Sequence, residues 1–327
     1  MNPSSNKLPN TVKIFRNIST LLLFLLTLAC IISFTSGYES DIRYFVRSLT
    51  NLPLATVAVL TLLLSISSAV LFKDHDTLPH ANPNLRLVSI LPTIAIIRAM
   101  IHIALKELTR LSELIELGRD VTLDTWTPLL LLTALFAVIY NLLEIFPLNK
   151  ILKLVCGLLQ IIFCIVVIAN LYIDFSVELN SPAKLLLQFS ASSMIIYTLA
   201  GIRRELKIPN APILMASSLA TAAFGVANAV ALFAEFIPNA DKYNGDYSVY
   251  PLIFIAYGIK AAIDLFTCST FKCEQEDRGA VEPTAEAEPA AETEEIAVAE
   301  AAEETNSAEE ASVSSSCEDN TANEADE

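Results

Sequence analysis

Eight long apolar stretches constrain this chain more than any other feature of its sequence. Each has 17 to 25 residues dominated by Leu, Ile, Ala and Val, and about 20 such residues let a helix cross the hydrocarbon core of a membrane. None alternates with the period of two that a transmembrane barrel requires. Since backbone groups in lipid must hydrogen-bond within their own segment, we expect eight membrane helices at Ile18–Phe34, Leu52–Phe72, Leu87–Leu105, Thr127–Phe146, Ile151–Tyr172, Leu185–Ile202, Ile213–Ile237 and Val249–Cys268.

The connections between these stretches are short and contain turn residues such as Asn82-Pro83 and Ser181-Pro182. The longest runs from Lys106 to Trp126, and its apolar residues Leu108, Leu111 and Ile115 follow a helical period. Two interpretations fit, namely an amphipathic helix on the membrane surface or an extension of the third span. We favour the extension.

Charge is distributed very unevenly along the chain. The segment from Glu274 to Glu327 holds 19 acidic residues and one basic residue, which gives it a net charge of −18. The rest has 17 acidic and 20 basic residues, a net of +3, so the pI of about 4.7 describes the tail alone. A mean hydropathy of +0.53 with 17% charged residues excludes a soluble α/β enzyme, a DNA-binding domain and a disulfide scaffold.

Lys and Arg in short loops predict the orientation in the membrane. With the N-terminus in the cytoplasm, the inside segments carry 12 basic residues and the outside loops carry 7. Eight spans then place both termini inside. A cleaved signal peptide is the alternative for the first span, although its apolar core is longer than usual and no clear cleavage site follows it.

The tail is rich in Glu, Ala, Thr and Ser and contains no aromatic residue. A segment with low hydrophobicity and one sign of charge cannot bury enough surface to fold, so we expect it to be disordered. It is either a solvating appendage, the interpretation that we favour, or a docking arm for a basic cytosolic partner.

Motifs that carry a known chemistry are absent from the sequence. No phosphate-binding loop, dinucleotide fingerprint, H-E-x-x-H or G-x-S-x-G pattern occurs, and the six cysteines form no C-x-x-C pair. The loop K-D-H-D-T-L-P-H, residues 73–80, has metal-ligand residue types, but such loose spacing is more typical of a solvated turn. The sequence therefore predicts no cofactor and no metal site.

Ionisable and amide side chains inside the spans are the best candidates for a functional site, because such groups are costly in lipid. The candidate intramembrane polar cluster consists of Arg98, His102, Asn141, Glu144, Lys260 and Asp264. Helical offsets place Lys260 so that it can pair with Asp264 in its own helix or with Glu144 in the fourth helix. For Arg98 we expect Gln160, Tyr257 or backbone carbonyls as partners, or a side chain that extends towards water.

The segments Asn180–Gln188, N-S-P-A-K-L-L-L-Q, and Gly201–Glu205, G-I-R-R-E, flank the sixth span. In these residues, and in hydropathy from about Thr11 to Phe271, the chain resembles an uncharacterised family of multi-pass membrane proteins from Gram-positive, Clostridia-type bacteria. The resemblance implies a location in the bacterial plasma membrane. That family has no assigned activity, so the resemblance implies nothing about mechanism.

Together these observations predict an all-α protein with three parts. They are a cytoplasmic segment at 1–17, an eight-helix transmembrane bundle at 18–268 and a disordered acidic tail at 269–327. The lipid bilayer is the expected partner, nucleic acid is not, and the oligomeric state is left open. A non-enzymatic structural, sensory or partner-binding role is the first hypothesis for function. A transporter or channel for a small solute is the alternative, and a membrane-embedded enzyme is a distant third.

Overall fold

A computed structural model of the chain describes residues 10–39, 41, 44–46, 48–73, 75–77, 86–118, 120, 125–146, 148–174, 177–178, 181–208, 210–240, 246–267 and 270–272. Its long helices are α1 (Asn10–Ser36), α2 (Ser48–Leu71), α3 (Ile90–Glu116), α4 (Trp126–Ile145), α5 (Lys150–Ile173), α6 (Pro182–Glu205), α7 (Ala211–Ala231) and α8 (Asp246–Thr267). A short 3-10 helix, Leu87–Ser89, leads into α3, and a π-helical turn, Leu232–Phe236, continues α7.

Each predicted apolar stretch coincides with one of these helices. All eight helices are long and apolar enough to cross a membrane. The prediction of an all-α bundle with eight membrane helices is therefore confirmed. The acidic tail from Glu274 lies outside the described residues, as do the side chains of the loop at 74–80.

Local side-chain hydrogen bonds explain where two of the helices begin. Before α5, the Asn149 side chain accepts hydrogen bonds from the backbone N–H groups of Ile151 (3.0 Å) and Leu152 (3.2 Å). Ser181 precedes α6, whose first residue is a proline. Asn and Ser side chains satisfy N–H groups that have no partner within the helix. Proline at the first position of a helix loses no hydrogen bond, because an N–H group there would have no partner within the helix.

The connection after the third span is the helical extension rather than a separate surface helix. Helix α3 continues without a break to Glu116, and Gly118 follows with φ of +61°, a conformation that glycine adopts at the end of a helix. At about 1.5 Å per residue, the 27 residues of α3 are about 40 Å long, about 10 Å more than the hydrocarbon core.

Six helices pack in a closed ring, which we call the six-helix ring. Helices α3 to α8 each contact the next, and α8 returns to contact α3. Helix α6 also contacts α8, whereas α1 and α2 pack against each other and against α7, outside the ring. The fourth and eighth helices face each other across the interior of this ring.

Helices α7 and α8 approach most closely at a pair of glycines. A Cβ atom on Gly225 would lie 2.6 Å from the Cα atom of Gly258, and the converse holds for Gly258. Small residues at such a crossing let two backbones meet within the membrane. This contact packs α8 against α7, the helix against which α1 and α2 also pack.

The two ends of the bundle are distinguished by their short strand pairs. Strand β3 (His75–Thr77) pairs with β4 (Thr270–Lys272), which follows α8, and nearby Arg16 of α1 donates to the Leu265 carbonyl at 2.9 Å. We call this the β3–β4 end.

The opposite end, the β1–β2 end, carries β1 (Tyr38–Glu39) paired with β2 (Tyr44–Phe45). Here a side-chain hydrogen bond with Glu178 raises the pKa of the Tyr44 phenol, because the carboxylate favours the protonated hydroxyl. This interaction links the strand pair to the connection between α5 and α6.

The polarity of the bundle is reversed relative to a water-soluble protein. Large apolar side chains on its surface are exposed, as at Phe24 (60%), Ile66 (60%) and Val70 (77%). The amides of Asn141 and Gln160 are fully buried. Apolar surface outside and satisfied polar groups inside are what a helical bundle in lipid requires.

Candidate functional site

A buried group of polar side chains, the inner polar cluster, lies inside the six-helix ring towards the β3–β4 end. It draws on α4, α5, α6 and α8, and its members are Tyr140, Asn141, Glu144, Gln160, Tyr197, Thr198, Tyr257, Lys260 and Asp264. Gly201, Arg204 and Leu214 complete the lining of its cavity. Four of the six residues predicted from the sequence belong to it.

A buried ion pair is the centre of this cluster. Lys260 on α8 donates a hydrogen bond to the Glu144 carboxylate on α4, and Ser89, which precedes α3, donates to the same oxygen at 2.8 Å. Lys260 is 7% exposed and Glu144 is 9% exposed. A lone charge at this position would be costly in lipid. The Glu144 carboxylate therefore holds together α4, α8 and the segment that precedes α3.

Aromatic rings surround the lysine. The Lys260 Nζ atom lies 6.0, 5.8 and 5.7 Å from the ring centroids of Tyr140, Tyr197 and Tyr257, respectively, within the range of cation–π attraction. The Tyr197 hydroxyl on α6 donates to the Asp264 carboxylate on α8. Asp264, the second acidic residue of the cluster, is thus hydrogen-bonded to α6.

A chain of neutral hydrogen bonds extends the cluster towards the middle of the membrane. The Asn141 amide donates to the Tyr257 hydroxyl (2.7 Å), to the Ala137 carbonyl (2.8 Å) and, at 3.5 Å, to Gln160. Gln160 in turn donates to the Thr198 hydroxyl at 2.7 Å. These bonds give partners to the amide nitrogens of Asn141 and Gln160, which would destabilise the bundle if left unpaired, and they join α4, α5, α6 and α8. The Asn141 Oδ1 atom is buried and accepts no hydrogen bond from the described residues.

The inner polar cluster leaves almost no open space. The cavity between its side chains has a volume of about 10 Å³, which is about the space that one water molecule needs. At its rim, Lys153 of α5 pairs with Glu205 of α6. The cluster can therefore hold the helices in place, but it cannot hold a solute in this conformation.

Arg98 and His102, the other two predicted residues, do not join the cluster. Arg98 is exposed on the outer surface of α3, and the hydrogen bonds of Gln160 and Tyr257 described above go to other residues. His102, one turn further along, is half-buried.

A second polar site, the vestibule, opens at the β1–β2 end of the same ring. It is a cavity of about 480 Å³ between α3, α4, α5 and α8, lined by Ile103, Lys106, Glu107, Thr109, Arg110, Glu113, Trp126, Thr127, Leu130, Asn170 and Tyr250. All four charged residues, Lys106, Glu107, Arg110 and Glu113, lie on the part of α3 that extends beyond the apolar stretch.

The vestibule contains charges of both signs beside aromatic rings. The Arg110 guanidinium donates two hydrogen bonds, of 2.6 and 3.0 Å, to the carboxylate of Glu107, which is 9% exposed. Asn170 donates to the Tyr250 hydroxyl at 3.1 Å. Two acidic and two basic side chains line the cavity, so it can bind groups of either charge.

Apolar side chains separate the vestibule from the inner polar cluster. Ala134 of α4, Phe163 of α5 and Phe254 of α8 lie between the two sites along their helices and are at most 5% exposed. Along α8, Tyr250 and Tyr257 are seven residues, or about 10 Å, apart. The two polar sites are stacked in the same ring with a closed layer between them.

The vestibule was not among the sites predicted from the sequence. The signal for it is local, since Glu107 and Arg110 are spaced for an ion pair on one face of a helix. Their contribution to a cavity depends on α4, α5 and α8, which the spacing does not reveal. Among the residues that the structure describes, no group of three or more His, Cys, Asp or Glu side chains could hold a metal ion.

The fold and its polarity define the class of this protein: it is a multi-pass integral membrane protein with eight helices that could each span the bilayer. Comparisons with protein families, curated proteins and solved structures found no match to the chain.

Proposed function

We propose that this membrane protein is a non-enzymatic sensor that binds a small polar solute in the vestibule. The observation that carries the proposal is the cavity of about 480 Å³, which contains both charges and aromatic rings. Sites for small molecules have volumes of about 300–1,000 Å³ and combine apolar walls with a few polar groups. The extension of α3 beyond the membrane core gives the cavity access to water.

The charge balance of the vestibule favours a zwitterionic solute. Arg110 and Lys106 can bind a carboxylate, and Glu107 and Glu113 can bind an ammonium group. Trp126 offers an apolar face to the rest of the molecule. Because Arg110 and Glu107 pair with each other, a solute that separates them must offer both a carboxylate and an ammonium group, since a solute with one charge would leave one partner of the pair unmatched.

Sensing is favoured over transport because the ring is closed below the vestibule. A bound solute would contact α3 and α8, and α8 also carries Lys260 of the inner polar cluster. Binding could thus alter the packing around the ion pair without passage of the solute. Transport is the second candidate, favoured by the stacking of two polar sites in one ring.

For the orientation, we propose that the β3–β4 end faces the cytoplasm of a bacterium and that the vestibule faces outwards. The excess of Lys and Arg in the segments of the β3–β4 end supports this orientation. The resemblance to Clostridia-type membrane proteins supports the plasma membrane as the location.

Binding of three matched probes to the purified full chain would test the proposal. Leucine is zwitterionic, leucinamide is cationic and N-acetyl-leucine is anionic, and calorimetry in detergent would measure the affinity of each. We expect leucine to bind at least about tenfold more tightly than the others, since charge-assisted hydrogen bonds contribute about 1.5–3 kcal/mol.

Substitutions test whether leucine binds in the vestibule or elsewhere in the bundle. Glu107→Gln and Arg110→Gln should each weaken leucine binding about tenfold or more. Glu205→Gln, which removes an ion pair at the β3–β4 end, is the matched control and should leave binding unchanged. Equal leucine affinity in all three variants would refute the vestibule as the binding site. Leucine counterflow in proteoliposomes would favour the transport alternative.

A further inference from the structure

We infer that the outer face of α3 around Arg98 binds a transmembrane helix of another protein, and that this helix carries a carboxylate near the middle of the bilayer. The inference is independent of the proposed function of the vestibule. It rests on the position of one charged residue relative to lipid and on where the other intramembrane charges of the chain lie.

Arg98 points away from the rest of the bundle. The buried face of α3 includes Ile96, Ala99 and Ile103, and at 100° per residue Arg98 is about 160° from Ile96 around the helix. Its neighbours on the outer face, at offsets of −7, −4, +3 and +7, are exposed aliphatic residues, namely Leu91 (43%), Ile94 (59%), Ile101 (56%) and Leu105 (58%). Arg98 is thus the exposed charged side chain of a patch that is otherwise aliphatic, with the half-buried His102 at its edge.

The depth of Arg98 is close to the middle of the membrane. The apolar stretch Leu87–Leu105 has its midpoint at Ile96, and two residues correspond to about 3 Å. A charged side chain at this depth is costly when it faces lipid, and such residues nearly always pair with another group. Within the part of the chain that the structure describes, no side chain or backbone group pairs with Arg98.

Extension of the side chain to the membrane surface does not relieve this cost. Side chains on a helix tilt towards its N-terminus, so Arg98 leans towards the Leu87 end of the stretch. That end is 11 residues, or about 16 Å, away, whereas the nearer end at Leu105 is about 10 Å away in the opposite direction. Lipid phosphates are therefore out of reach on the side towards which helical side chains tilt.

A second copy of this chain does not offer a suitable partner either. Of the acidic side chains that the structure describes in the spans, Glu107, Glu144, Glu235 and Asp264 are buried inside the bundle, and the more exposed Glu113, Glu116 and Glu205 lie at helix ends, far from the depth of Arg98. A symmetric contact through α3 would place two Arg98 side chains against each other, and like charges repel. The occupant with matching chemistry is a helix of a different protein with Asp or Glu at the same depth.

Model helices in liposomes would test this inference with the full chain. The probe is a 20-residue Leu/Ala transmembrane peptide with one central Glu and a dansyl group, and its matched forms carry Gln or Leu at the centre. Trp126 is the only tryptophan of the chain and lies at the start of α4, next to α3, so energy transfer from it reports association. We expect the Glu peptide to associate at least about tenfold more strongly than the Leu peptide.

Substitutions make the result specific to Arg98. Arg98→Leu should reduce association of the Glu peptide about tenfold and leave thermal stability at or above that of the parent, because the side chain has no partner among the residues that the structure describes. Arg98→Glu should bind a Lys-centred peptide instead. Arg86→Leu removes the same charge from the end of the helix and should have no effect.

Three results would overturn the inference. The first is equal association of the Glu and Leu peptides, and the second is unchanged association of the Glu peptide with Arg98→Leu. The third is self-association of the protein that requires Arg98, because it would assign the surface to a second copy.

Discussion

Replacing Glu144 with lysine tests the buried ion pair most directly. The change places a second ammonium group beside Lys260, at a position that is 9% exposed and enclosed by three tyrosine rings. Lys260→Met removes the cation instead, and the remaining Glu144 keeps the hydrogen bond from Ser89 and can take up a proton. The two substitutions therefore differ in the charge that stays buried.

The expected magnitudes follow from this difference. Removing one partner of a buried ion pair costs about 3–5 kcal/mol, and Lys260→Met should fall at the lower limit. In Glu144→Lys the same loss is joined by repulsion of about 4 kcal/mol between like charges about 4 Å apart at an effective dielectric constant of about 20. The double variant Lys260→Met/Glu144→Gln removes both charges and should recover most of the stability of the parent.

Native cysteines provide the assay. Cys30, Cys156 and Cys164 are at most 1% exposed, so a thiol-reactive dye reports unfolding when it reaches them. The substitutions Cys268→Ser, Cys273→Ser and Cys317→Ser remove the remaining thiols. The midpoint of thermal unfolding in detergent should decrease in the order parent, Lys260→Met, Glu144→Lys.

Lys153→Met is the matched control for this series. It breaks the pair with Glu205, whose side chain is 27% exposed and stays solvated, so the loss should be smaller than for Lys260→Met. If Glu144→Lys were as heat-stable as the parent, the ion pair would not hold the ring together. If the double variant were no more stable than Glu144→Lys, burial of charge would not explain the loss.

Three further substitutions test other parts of the bundle. Gly258→Ala should lower the unfolding midpoint clearly, since the new Cβ would lie 2.6 Å from Gly225 Cα, and a midpoint equal to that of the parent would contradict the close approach. Gly118→Ala should cost only about 1–2 kcal/mol, because its φ is +61° but nothing lies within 4 Å of the new Cβ; Gly118→Asn should cost less. Lys184→Met should destabilise by about 1–3 kcal/mol, because Lys184 is 1% exposed and donates to Asp174 O and to a second backbone carbonyl before α6. The same dye assay measures all three.

The number and class of the helices could be predicted from the sequence because the hydrophobic requirement acts on each segment separately. A stretch such as Ile151–Tyr172 is long enough to cross the membrane whatever surrounds it, and its backbone hydrogen bonds are local. The same local logic predicted that α3 would extend past Leu105, since a helical period continues to Ile115. It also explains why Glu144 and Lys260 were candidates, because a charge inside a span is costly in any arrangement.

The arrangement of the helices decided which of those polar groups meet. Periodicity placed Arg98 and Glu144 on helical faces, but it could not say which face is turned towards the ring and which towards lipid. The structure turns Glu144 inwards and Arg98 outwards, so the two belong to different sites. The vestibule was missed for the same reason, because its walls come from four separate helices, of which α8 is far from the other three in sequence.

Sequence alone thus determined that this chain inserts into a membrane as eight helices, since each span satisfies its backbone and buries its apolar surface without reference to the others. Only the tertiary structure decided that α3 to α8 close into a ring, that Lys260 pairs with Glu144 across it, and that Arg98 lies outside. Inside lipid, hydrophobicity no longer distinguishes one helix face from another. Close contacts such as Gly225–Gly258 and buried hydrogen bonds therefore select the packing, and these depend on pairs of residues far apart in the chain.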